Sequence, residues 1–395
     1  MGAQGRDRRT REVFCAFFSL GLRSFGGPSA HIGYLHEEFV RRRRWLGEDG
    51  FAALLTLSQL LPGPASSQLA MGIGLLRAGL PGQIAAWAGF ATPSAVLMVA
   101  FALGLEATAL PAAGGILKGL KLAALAVVAE AVRRLAGRFC RSARPFALAT
   151  AALALALALP GLWGQLAAIA LGAAVGVPQG FDRPRPLAFA AAPRASVARA
   201  CAVGFLALLL LLPLASWLMD HPLLLLFDGF FRAGALIFGG GHVVLPLLRE
   251  VVVSPGLVDP ARFTAGYGAA QALPGPLLAF AAYLGMVSTP AGGVTAALVA
   301  LIAIFLPSLL LVPAALPHLA RIQSHRRAQS ALSGANAAVV GLIAAALYHP
   351  LWTSSVEGAL DLSLALFAWL LLALRNVPSW QVVALLAAAG LVLKP

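Results

Sequence analysis

Gln59-Leu60-Leu61-Pro62-Gly63-Pro64 and, 212 residues later, Gln271-Ala272-Leu273-Pro274-Gly275-Pro276 decide how this chain is read. Each motif interrupts a long apolar stretch. Proline removes a helix donor and clashes with the preceding turn, so no α-helix is expected to continue through either motif. In the first copy the flanks Phe51 to Leu61 and Ala65 to Leu76 hold eleven and twelve residues. At about 1.5 Å per residue each flank covers roughly 16–18 Å, well short of a ~30 Å hydrocarbon core. We therefore expect a re-entrant hairpin that returns to the side it left.

Outward from the motifs, composition names the solvent. Of 395 residues 60% are apolar and 11% charged, with a mean hydropathy of +0.85. A soluble domain has about 45–50% apolar and about 25% charged residues. No water-soluble fold hides that much apolar surface, so the chain is an all-α polytopic membrane protein. Thirteen apolar segments are legible, at 12–35, 51–76, 79–105, 117–136, 145–160, 162–178, 198–218, 224–248, 262–287, 291–316, 331–349, 358–375 and 378–394. The polar break around 181–200 divides the chain into halves 1–180 and 201–395 with a cytoplasmic linker between.

The formal charge is +14; up to residue 200 the chain carries 21 basic and 9 acidic residues, beyond it 8 and 6. Basic residues concentrate in cytoplasmic loops of membrane proteins, and that reading is preferred over a nucleic-acid partner. Cys15, Cys140 and Cys201 are isolated and read as small apolar residues, with no metal site. The basic N-terminus before Val13 to Leu22 mimics a signal peptide but lacks a prompt small-residue cleavage site, so it is kept in the mature chain.

The motifs belong to a longer duplication. Phe17 to Pro28 answers Phe230 to Gly241, Pro93-Ser94 answers Pro307-Ser308, and Gly119-Leu120-Lys121 answers Gly334-Ala335-Asn336, all at an offset of 212 to 215. Seven segments separate the two starts, an odd number, so the halves are expected to have inverted topology. Segment 1 breaks at Gly26-Gly27-Pro28 as segment 2 does at its proline motif. With both re-entrant, Arg41 to Arg44 return to the cytoplasmic side with the other arginine-rich loops.

Irregular backbone at membrane depth is tolerated only inside protein or beside a water-filled path, so the breaks mark a candidate substrate route. A helix restarting after a break exposes unpaired N–H groups at its positive end, an anion site by construction. Ser66, Ser67 and Gln68 add two hydroxyls and an amide after Pro64, whereas the twin reads Leu277-Leu278-Ala279. The halves are therefore expected to contribute unequally. The alternative is that Pro and Gly only kink helices and the serines bond back to their own turn.

Ionisable residues in apolar segments are functional candidates by default. Arg23 and Lys121, with Asn336 as the twin of Lys121, are candidate anion ligands beside Gly26, Gly27, Gly239 and Gly240. His31, His242, Glu37, Glu38 and Glu250 are candidates for coupling or gating. Each has a structural alternative: Lys121 can snorkel, Arg232 has Asp228 one turn away, and Glu130 has Arg133 and Arg134. No HExxH, Walker lysine, GxSxG or metal-spaced Cys/His set is present, so an enzyme is not expected, and no cofactor.

Phe25 to Tyr34, Gln59 to Gln68, Gly72 to Gly79, Phe238 to Pro246, Gln271 to Pro276 and Asn336 to Gly341 together resemble the chromate ion transporter family, in its long two-domain form. The resemblance implies a secondary transporter or antiporter that exports chromate from the bacterial cytoplasm across the inner membrane and confers chromate resistance. The residues alone support an anion carrier, with the dianion held between the halves at the broken helices; a sulfate or other oxyanion carrier of the same fold is the alternative. A non-transporting membrane protein or intramembrane enzyme would need a constellation that is not there. A homodimer is kept as a candidate assembly.

Overall fold

The computed structural model describes residues 3–25, 27–107, 111–159, 162–176, 193–237, 244–290, 292–319, 326–375 and 377–392. Every regular element among them is helical. The first set runs α1 (Ala3–Gly21), α2 (Gly27–His36) with a π turn at Glu37–Arg42, α3 (Glu48–Leu60), α4 (Ala65–Ala107), α5 (Pro111–Phe139), α6 (Ala143–Ala158) and α7 (Leu162–Val175). After α8 (Ala195–Met219) the second set runs α9 (Pro222–Ala235), α10 (Val244–Val252), α11 (Pro260–Ala272) and α12 (Phe280–Val287). It continues with α13 (Val294–Ala315), α14 (Arg326–Ala346), a π turn at Leu347–Trp352, α15 (Ala359–Leu374) and α16 (Ser379–Val392).

The proline motifs stop helices as the chemistry of proline requires, and each is the tip of a hairpin. α4 is itself two arms, because Ala78 and Gly79 leave helical geometry (φ −141° and 72°). Its first arm, 65–77, folds back on α3, with Gly72 packed on Leu54. In the second set the Tyr283 hydroxyl of α12 donates to the Arg262 carbonyl at the start of α11, 3.0 Å away. The open ends lie level with each other. Arg77 pairs with Glu12 at 3.0 Å and stacks over Trp45 at 4.8 Å, so the middle of α1, the loop before α3 and the end of the first α4 arm meet. At the equivalent place Thr289 N–H donates to the Leu257 carbonyl at 3.0 Å. α1 and α2 fold back likewise: Phe17 stacks on Phe39 with ring centroids 4.5 Å apart, and His31 Nε2 lies 3.0 Å from the Ser24 carbonyl.

Among the described residues four stretches are long and apolar enough to cross a membrane: Ala65–Leu105, Ala195–Met219, Val294–His318 and Gln329–His349. Shorter apolar helices, Ala143–Ala158 and Ala359–Leu374 among them, complete a multi-pass membrane protein. Thirteen apolar segments thus resolve into fewer long spans than their number suggests, because breaks and turns divide them. The stretch 224–248 holds two helices, α9 and α10. On α8 Leu210 is 70% exposed and Trp217 77%; apolar surface turned outward at this density belongs in lipid.

The two sets are interlocked. α5 packs on α15 and α16, the last helices of the second set, while α14 packs on α6 and α7, the last helices of the first. The contacts correspond: Gly119 sits directly on the Leu386 backbone, and its repeat partner Gly334 directly on Gly172. A side chain at either glycine would strike a backbone carbonyl. Small residues of this kind let membrane helices approach closely where dispersion contact must hold them together. The linker around 181–200 lies largely outside the described residues.

Candidate functional site

The two proline tips are buried in the opposite set of helices and held there by matching bonds. At the first tip Gly63 N–H donates to the Ile237 carbonyl at 2.6 Å; at the second Gly275 N–H donates to the Ser24 carbonyl at 2.8 Å. Ser24 and Ile237 are repeat partners, each just before its own glycine break. Gly63 has φ +130° and Gly275 φ +94°, a region that strains any residue with a Cβ. The Ser308 hydroxyl and the Gln68 amide fill the space beside Gly63, and the Ser94 hydroxyl fills that beside Gly275.

Beyond this shared backbone the tips differ. At the first, Gln68 turns back across the break: its Nε2 donates to the Pro62 carbonyl at 2.6 Å and to Ser308 Oγ at 3.2 Å. Gln68 N–H donates to the Pro64 carbonyl at 2.9 Å, so the amides of Ala65, Ser66 and Ser67 form the first-turn set that has no intrahelical carbonyl. Ser66, Ser67 and Gln68 are buried, yet Ser67 Oγ and Gln68 Oε1 have no hydrogen-bond partner. A buried polar atom left so costs about 1–3 kcal/mol, which makes these two atoms signals of something that completes them. At the second tip Ser94 Oγ donates to the Pro274 carbonyl at 2.6 Å, and the chain restarts through Leu277, Leu278, Ala279 and Phe280, whose side chains are apolar and buried.

Other sequence candidates fall elsewhere. Arg23 is engaged by Glu38 at 2.8 Å, and Glu38 also takes Arg42 at 3.0 Å and Arg43 at 2.7 Å. Glu38 lies beyond the apolar segment; burial would push its carboxyl up, but the Arg43 hydrogen bond and the charges of Arg43, Arg23 and Arg42 hold it below the usual carboxylate range. Glu37 pairs with Arg41 at 3.7 Å. Arg232 pairs with Asp228, and Glu130 with Arg133 and Arg134 at 2.8 and 2.5 Å. Lys121 and Asn336 lie on α5 and α14; the Leu120 carbonyl beside Lys121 is packed on Gly268 of α11.

His31 is buried against Phe90, its Nε2 on the Ser24 carbonyl that also receives Gly275. A carbonyl only accepts, so Nε2 carries a proton and donates, while Nδ1 has no hydrogen-bond partner. Gly27 opens α2 with φ +76°. Glu250 accepts from Ser254 at 2.9 Å and lines a cavity of about 90 Å³ with Gln165, Arg249 and His349, away from both tips. Gly26, Gly239, Gly240 and His242 lie outside the described residues. Sequence reasoning missed Ser94 and Ser308 as tip contacts, although their repeated Pro-Ser pairs were visible.

Helices broken at paired tips, each tip bonded to the other half of an apolar multi-pass chain, are the frame of a membrane protein, and its family makes it a transporter and not an enzyme. The sequence matches the chromate transporter family over residues 11–177 and again over 224–392, and the chain belongs to that family. It is 29% identical to a chromate transport protein of Pseudomonas aeruginosa over 85% of this chain and 79% of that one. It is 26% identical to a chromate transport protein of Cupriavidus metallidurans over 98% of this chain and 93% of that one. A transporter of Methanocaldococcus jannaschii is 26% identical over 77% of this chain and 75% of that one. No solved structure matches the chain.

Proposed function

We propose that the chain exports chromate across the bacterial inner membrane as a secondary transporter, with the oxyanion held at the first proline tip between halves of opposite orientation. The observation that carries the site is the restart of α4: three first-turn amides and the buried, partnerless Ser67 hydroxyl converge beside Pro64. These donors suit an oxyanion without a formal counter-charge, aided by the helix dipole. Family membership and the named relatives supply the anion. Five crossings between α1 and α9 follow if both hairpins of the first half re-enter, and an odd number supports inversion.

Alternating access then amounts to opening one tip's seal at a time. Gly63 to Ile237 with Gln68 to Ser308 closes one route, and Gly275 to Ser24 with Ser94 to Pro274 closes the other. Outward movement of an anion from a cell negative inside runs down the potential, worth about 2.3 kcal/mol per charge per 100 mV. That suffices to drive export without a coupling ion. Arg23 stands next to the second seal, and its hold on Glu38 makes it a ligand only if an incoming anion draws it away.

The test is radiolabelled chromate uptake into inside-out vesicles, with and without an interior-positive potential and with unlabelled sulfate as competitor. Potential-dependent uptake that resists sulfate is the expected result. Flux no greater than in vesicles lacking the protein would overturn the proposal, and efficient competition by sulfate would make it a general oxyanion carrier.

A further inference from the structure

Chromate and sulfate are tetrahedral dianions of similar size, so a cradle made only of donors separates them weakly. The first tip is not made only of donors. We propose that it takes its oxyanion in the singly protonated form, with Gln68 Oε1 accepting the hydrogen bond from the anion's own O–H. This rests on the reading that the first tip holds the oxyanion.

Gln68 is 1% exposed, and its amide is oriented by chemistry. Nε2 lies 2.6 Å from the Pro62 carbonyl, which can only accept, so exchanging the two ends of the amide would set two acceptors against each other. Ser308 Oγ, 3.2 Å from Nε2, bonds either end of an amide and so is compatible with this orientation, which the Pro62 carbonyl sets. Oε1 is therefore fixed as an acceptor at the break, and it has no partner. The neighbouring Ser67 hydroxyl does not fill it, since that group is also without a partner. A ligand completing both must accept from Ser67 and the first-turn amides and donate to Gln68. A tetrahedral oxyanion carrying one proton does both; a bare dianion does only the first.

Charge points the same way. The cost of burying an ion grows with the square of its charge, and among the described residues the cation in contact with the motif, Arg138, gives its hydrogen bond to Gln59 Oε1 at 3.0 Å, on the α3 side of the break and not at the restart of α4. α13 carries no ionisable residue; those of α3 are Glu48 and Asp49, at its far end. α9 carries Asp228 and Arg232, paired with each other; α1 ends near Arg23, paired with Glu38; from α2, His31 faces the Ser24 carbonyl. α11 and α12, packed on α4 from the second tip, add Arg262, Tyr267 and Tyr283, the last bonded to the Arg262 carbonyl. Chromate's second ionisation lies near neutrality and sulfate's far into acid, so only chromate presents the protonated monoanion in a living cell. Gln68 then becomes the specificity-determining residue.

The experiment is initial-rate chromate uptake into inside-out vesicles at fixed potential, across pH 6.5 to 8.5, with and without sulfate. In the wild type the half-saturating total chromate should rise about tenfold per pH unit above neutrality, as the protonated fraction falls, and sulfate should not compete. Gln68→Met keeps the length and removes the acceptor; its half-saturation should be flat with pH and sulfate should compete. Ser67→Ala removes a donor and leaves the acceptor, so affinity should fall at every pH with the slope kept. A flat wild-type profile, a Gln68→Met profile that keeps its slope, or a Ser67→Ala profile that loses it would overturn the proposal. Absence of chromate flux at every pH would instead overturn the reading on which it rests.

Discussion

The two proline tips have the same backbone and opposite chemistry. Gly63 and Gly275 both reach positive φ and both donate to a carbonyl before the other half's glycine break. Past that point the first tip continues with Ser66, Ser67 and Gln68, the second with Leu277, Leu278 and Ala279. Duplication has kept what seals the tips and let diverge what could bind there. On the proposed reading, the difference teaches that closure is a task for both halves, while anion recognition belongs to one.

The hardest blow to this comparison should fall on both tips alike. Gly63→Ala and Gly275→Ala each place a Cβ against a serine hydroxyl at a strained φ, adding about 1–3 kcal/mol of backbone strain to the clash. Both variants should lose monodisperse protein in detergent; if only one does, the seals are not equivalent. Next comes the asymmetric test. Ser66→Ala with Ser67→Ala should weaken chromate affinity at least about tenfold, since hydrogen bonds to charged groups contribute about 1.5–3 kcal/mol each. Ala279→Ser in the second tip should leave affinity unchanged in the same uptake assay.

Smaller effects sharpen the seals. Ser94→Ala leaves the buried Pro274 carbonyl without its hydroxyl donor and should lower the midpoint of thermal unfolding by an amount equal to about 1 kcal/mol. Ser308→Ala removes an acceptor that Gln68 shares with Pro62, so its cost should be less than that of Ser94→Ala. The smallest concerns the ion cluster. Glu38 is held below the ordinary carboxylate range, so its stabilisation is full above that range and lost as pH falls through the depressed value. The thermal stability of Glu38→Gln should therefore trail the wild type at neutral pH and converge on it in acid. The gap should be small, because the arginines are about one-third to two-thirds exposed.

Much of this was legible because proline and glycine act locally. Pro62 to Pro64 and Pro274 to Pro276 interrupt helices whatever surrounds them, and Pro93-Ser94 and Pro307-Ser308 following them in the same order at nearly the same distance expose the duplication. The apolar count names the solvent in the same way. What stayed hidden depends on partners distant in sequence. Arg23 resembles a substrate cation until Glu38, fifteen residues on, is seen to hold it. Gly119 and Gly334 are ordinary helical glycines until Leu386 and Gly172 are found against them, and no period in one sequence assigns a helix its neighbour. Ser94 and Ser308 were visible as a repeated pair, but only the fold supplies the carbonyl and the amide that give them work.

The central claim is that the first tip holds the anion and the second only closes. Its most direct test is the concentration dependence of chromate uptake into inside-out vesicles for wild type, Ser66→Ala with Ser67→Ala, and Ser94→Ala, at equal protein in the membrane. The account predicts a large rise in half-saturating chromate for the double variant alone, with Ser94→Ala changing the maximal rate and not the affinity. Equal half-saturation in wild type and double variant would contradict it and move the binding site away from the start of α4.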